Sequence, residues 1–119
     1  MLGVDVVDVA RLSSSLERFP VLEERLFSEK ERSYCRSFPE PAKHFAGTLA
    51  AKEAVIKALG LGPLVAWARR IEVSRAEHGA PSVEVQGGAA VHRVEISISH
   101  DGPVAVAVAL DLGAADRSL

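Results

Sequence analysis

A single cysteine, Cys35, occurs among 119 residues, so no internal disulfide can form and a cysteine-rich zinc site is excluded. Basic charge is not in surplus either. Fourteen Lys and Arg stand against sixteen Asp and Glu, a net charge of -2, which leaves room for a local basic patch but gives no bulk attraction to nucleic acid. No run approaches the ~20 apolar residues of a membrane span. Residues 1–5 carry an acid where a secretory signal has basic and then apolar residues. A soluble cytoplasmic protein with no nucleic-acid or membrane partner is expected. The glycines form neither G-x-G-x-x-G nor a P-loop. No G-x-S-x-G elbow is present, and Ser99, His100 and Asp101 are consecutive, whereas triad members come from separate segments. His44, His78 and His92 lack metal-ligand spacing.

What is present is enough for one modest core, with 48% hydrophobic residues. We expect a single domain over residues 1–112 and a flexible tail over 113–119. A chain this short gains from an oligomer. Residues 3–9, GVDVVDV, are β-branched and read as a strand or a strand running into a turn. Ser13–Ser15 and Pro20 punctuate a short helix over residues 11–19. Ser28 and Glu31 have capping-box spacing ahead of a second helix, which Pro39 and Pro41 stop. Residues 42–60 form the clearest helix. They are rich in Ala, Leu, Lys and Glu, carry an apolar stripe of Phe45, Leu49, Ile56 and Leu59, and end at Gly60.

Beyond Gly60 the period changes from 3.6 to 2. Residues 71–74, 83–85, 94–99 and 104–110 read as strands, joined by turns at 77–81 and 100–103. Residues 87–91 fit a short helical turn. The order argues an α+β fold, with a largely antiparallel sheet packed against the long central helix.

Three places can carry chemistry. Glu53 and Lys57 lie four apart on the long helix and share a face. That pairing alone fits a solvated ion pair, but the flanking Ala and aliphatic residues make the helix look buried, and both charges then need further partners. Asp5 is an acid on an apolar strand. It is either a capping residue or a cation ligand, and two carboxylates with phosphate oxygens and waters suit Mg²⁺. His100 sits at a strand end, after Ser97 and Ser99 on one face.

Four stretches, GVDVVDVARL (3–12), LFSEKERSYC (26–35), FAGTLAAKEAVIKALG (45–60) and ISISHDGPVAVAVAL (96–110), together resemble the small class of 4'-phosphopantetheinyl transferases, the holo-acyl-carrier-protein synthases. The likeness covers residues 3–111. The resemblance implies transfer of the phosphopantetheine arm of coenzyme A to a serine of an apo acyl carrier protein. It implies Asp5 and Glu53 as ligands of Mg²⁺, with Mn²⁺ as the alternative ion; Glu53 is then the candidate catalytic group to take the serine proton, directly or through a metal-bound water. Lys57 and His100 are implied as coenzyme A contacts, and Arg11 and Arg18 as contacts to the acidic carrier protein. A homotrimer with sites between subunits follows from the same likeness. Thr48 departs from the pattern, since relatives often carry an arginine there; Lys52, Arg69 or Arg93 are the cations left to compensate. The competing reading is a non-catalytic module of the same fold that binds carrier protein or coenzyme A.

Overall fold

The structure is a computed structural model that describes residues 1–87 and 92–114. The helical turn expected over residues 87–91 therefore lies largely outside the described residues. Strand β1 (Leu2–Asp8) leads into helices α1 (Val9–Arg18), α2 (Val21–Leu26) and α3 (Glu29–Arg36). The long helix α4 (Pro41–Leu59) and the short α5 (Leu64–Trp67) follow, then strands β2 (Ile71–Arg75), β3 (Pro81–Val85), β4 (His92–Asp101) and β5 (Val104–Ala114). All strand pairs are antiparallel, as expected, but they form two sheets, β1-β5-β4 and β2-β3.

Local chemistry explains most boundaries. Asp8 accepts from Arg11 N at 2.9 Å and caps α1, so the helix starts two residues earlier than its sequence pattern predicts. The three serines lie inside that helix. The Ser28–Glu31 capping box forms as its spacing predicts. Gly60, at φ 64°, ends α4 in the left-handed region that glycine tolerates best. The β4–β5 hairpin is tighter than expected: Asp101 pairs with Val104, and only Gly102 and Pro103 remain as the turn. Gly102 has φ 56° at the first central position, where type II′ turns place glycine. Strand β5 extends through Ala114.

Helix α4 lies across one face of the three-stranded sheet. The register sets Gly3, Asp5 and Val7 beside Ala109, Ala107 and Ala105, and those beside Ile96, Ile98 and His100. The three alanines are buried, as are Ala50, Ala51, Ala54 and Ala58 of the helix. Small residues on both surfaces let the helix sit close to the sheet. A second core region gathers Leu12, Leu26, Phe27, Phe45 and Leu49 where the shorter helices meet α4. The opposite sheet face carries Leu2, Val4 and Val6, 60%, 52% and 60% exposed, beside Val104, Val108 and Leu110. Among the described residues no helix is long and apolar enough to cross a membrane.

Candidate active site

Strand alternation turns Asp5 toward α4, and the helical spacing of four puts Glu53 and Lys57 on the facing side. Lys57 Nζ donates to Asp5 Oδ1 at 2.8 Å and to the Val4 carbonyl at 3.1 Å. The other carboxylate oxygen, Asp5 Oδ2, is buried and receives no donor. Asp5 is the acidic neighbour of Glu53. Burial first, and then this acidic neighbour, push the Glu53 carboxyl up from 4.5 to about 7, with Lys57 pulling the other way. Lys57 is itself raised, chiefly by its bond to Asp5.

Two carboxylates face to face repel unless a proton or a cation lies between them. An undonated buried oxygen, a second oxygen donor and half-buried surroundings fit a small hard cation. No group of three or more His, Cys, Asp or Glu side chains able to hold a metal occurs among the described residues. A cation between Asp5 and Glu53 would have two protein ligands there and would take its remaining positions from water and substrate oxygens, as Mg²⁺ sites beside phosphates commonly do. The three residues that the sequence points to on β1 and α4 are brought together.

His100 lies apart from them, in a cleft of about 350 Å³ that Tyr34, Phe38, Lys43, His44 and Arg75 also line. Its ring meets His44 edge-on at 5.5 Å, and His44 stacks on Phe38 at 3.8 Å. Arg75 lies over Tyr34, 5.1 Å from the ring centroid. Burial, and then the cations around it, lower the pKa of His44. Aromatic faces and cations in one cleft suit a base and a phosphate. Lys43, His44 and Arg75 were missed by sequence reasoning; their elements are far apart in the chain, and no spacing announces the cleft.

Of the cations offered as substitutes at Thr48, Lys52 is excluded. It is fully buried, and its Nζ donates to Glu31 Oε1 at 2.7 Å, the Leu26 carbonyl at 2.9 Å and the Ala68 carbonyl at 2.5 Å. Burial lowers its pKa, and Glu31 opposes that shift. Arg69 and Arg93 are exposed, and the cations lining the His100 cleft are Lys43 and Arg75. Thr48 points inward, donating to the His44 carbonyl at 2.9 Å. Arg11 and Arg18 are both exposed and seven residues apart on α1, so they project from the same side.

The model of the 4'-phosphopantetheinyl transferase superfamily matches residues 1–109. The chain belongs to that superfamily. Its relatives include a holo-[acyl-carrier-protein] synthase of Clavibacter michiganensis subsp. michiganensis, 46% identical over 94% of both chains. A second, from Chlorobaculum tepidum, is 45% identical and covers 92% of this chain and 95% of its own. Among solved structures, the holo-(acyl-carrier-protein) synthase of Bacillus anthracis in complex with CoA (3',5'-ADP) superposes with a TM-score of 0.79. It is 31% identical and covers 92% of this chain and 93% of that one.

Proposed function

We propose that this chain transfers the 4'-phosphopantetheine group of coenzyme A to a serine of an apo acyl carrier protein and releases adenosine 3',5'-bisphosphate. The carrying observation is the Asp5–Glu53 pair with its undonated oxygen and with Lys57 alongside. The reaction joins a neutral hydroxyl to a phosphorus wrapped in negative charge, so charge neutralisation and in-line alignment are the main tasks.

Asp5 and Glu53 would hold a divalent cation, Mg²⁺ or alternatively Mn²⁺, which would supply positive charge against the phosphates. Lys57 adds a second positive charge for the departing bisphosphate. Glu53 takes the serine proton, directly or through a water; a cation held beside it would lower its pKa, which favours the water relay. His100, with Lys43 and Arg75, offers the coenzyme's nucleotide end a cationic, aromatic cleft. Arg11 and Arg18 meet the acidic carrier protein, where exposed charges steer encounter more than they add affinity.

A homotrimer with sites at subunit interfaces completes the reading, in the cytoplasm. Two features support it. The bare face of β1 and β5 is apolar and needs a partner, and a second copy is the surface with matching chemistry. His44, beside His100, and Glu53 are also nine residues apart on α4, roughly 13 Å along the axis. The two phosphate sites of adenosine 3',5'-bisphosphate are joined through one ribose, a shorter span. One copy's carboxylates then work with the neighbour's cleft.

Mass spectrometry of apo carrier protein after incubation with coenzyme A and Mg²⁺ tests the function. One added phosphopantetheine per carrier, lost on chelation, is expected. Coenzyme A binding without any mass gain would instead mark a binding module. Wild-type turnover by Glu53→Gln would remove Glu53 from the proton transfer.

A further inference from the structure

We infer that Gly3 is the positioning residue that sets the gap between the two carboxylates, an inference that rests on the cation reading proposed above. A Cβ at Gly3 would stand 2.0 Å from the Ala54 carbonyl oxygen, 3.0 Å from its carbon and 2.8 Å from the Ala58 nitrogen. All three are backbone atoms inside α4, so no side chain can swing aside to admit a methyl group. The two helix residues directly follow Glu53 and Lys57, and Asp5 is the next residue of β1 on the same face as Gly3. A tight strand–helix approach therefore lies next to the site on both elements.

The consequence is geometric. To bring that carbonyl contact from 2.0 Å to the 3.4 Å of ordinary packing, β1 must retreat from α4 by about 1.4 Å. Asp5 retreats with its strand. A cation that binds two carboxylate oxygens at about 2.1 Å each tolerates little such change. Glycine at position 3 thus acts as a spacer of zero thickness. It holds the strand carboxylate at the distance where one cation bridges it to the helix carboxylate.

Water-proton relaxation with Mn²⁺ and coenzyme A reads the metal affinity directly, beside turnover. Gly3→Ala is expected to weaken Mn²⁺ binding at least tenfold. Val73→Ala, a cavity in the same core away from the carboxylates, serves as the stability control and should keep the affinity within twofold. The signature of spacing is rescue. Asp5→Glu adds one methylene, roughly 1.5 Å of reach, so it should weaken Mn²⁺ binding alone yet restore part of the affinity in the Gly3→Ala background. Equal Mn²⁺ affinity in Gly3→Ala and wild type, an equal loss in Val73→Ala, or a double variant no better than Gly3→Ala would overturn the inference. If Gly3→Ala does not fold, Asp5→Glu alone still decides, because a fixed gap rejects the longer acid and a compliant strand accepts it. Mn²⁺ binding that survives Asp5→Asn would instead overturn the cation reading itself, and this inference with it.

Discussion

Lys52→Met should be among the most damaging single substitutions that leave the proposed site intact. The Lys52 ammonium is completely buried, and its partner Glu31 is 2% exposed. Glu31 also accepts from Ser28 N at 2.8 Å and from Val73 N at 2.7 Å. One ion pair thereby fastens the end of α2, the start of α3, the residue after α5, strand β2 and the middle of α4. Removing the ammonium strands a carboxylate in the interior and leaves two carbonyls without their donor. Breaking a buried pair from one side costs about 3–5 kcal/mol, against the ~5–15 kcal/mol that holds a typical domain. At ~4 °C per kcal/mol for a chain of this size, the melting temperature should fall by roughly 15 °C. Thermal unfolding at fixed protomer concentration measures the shift, and urea unfolding measures the free-energy cost. Lys52→Met with Glu31→Gln should recover part of the loss, because the stranded charge is gone while an amide oxygen can still accept a backbone N–H. A single variant that costs under ~1 kcal/mol, or a double variant worse than the single, would refute the argument that charge burial sets the cost.

Three further outcomes follow from the site and the core. The raised Glu53 carboxyl favours its protonated form in the folded metal-free protein. Its contribution is full below 4.5 and is lost as pH rises through about 7. Melting temperature of the metal-free protein should fall over that window, and added Mg²⁺ should restore more of it above pH 7 than below pH 5. The Cys35 thiol is buried, and burial pushes it up to about 11. It should resist a thiol reagent at pH 8 in the folded protein and react at once in urea. Raising salt should weaken apparent carrier-protein affinity through Arg11 and Arg18 while leaving kcat nearly unchanged, and Arg11→Ala with Arg18→Ala should flatten that salt dependence.

The sequence made legible what local rules govern. The long helix, its Gly60 stop, the capping box and the period-2 strands each follow from neighbours within a few residues. Asp5, Glu53 and Lys57 stood out because charge on apolar elements demands an explanation. The role of Lys52 was hidden because its partners, Leu26, Glu31 and Ala68, lie 16 or more residues away. Glu31 was legible as a capping residue but not as half of a buried pair, since one carboxylate performs both tasks. The serines of α1 read as a break, yet Asp8 at its start and Leu12 packed in the core sustain the helix. Helices α2 and α5 are too short to carry a periodic signal. The cleft around His100 gathers side chains from α3, α4, β2 and β4, a meeting that only the tertiary fold creates.

Adjacent positions 52 and 53 carry opposite charges to opposite destinations, one sealed inside and one turned toward Asp5 and Lys57. Each helical residue rotates by about 100°, so this assignment depends on phase rather than on composition. Inserting or deleting one residue between Phe45 and Glu53 would rotate the Lys-Glu step away from its sockets. The middle of α4 should therefore accept many exchanges of side chain and no change in length.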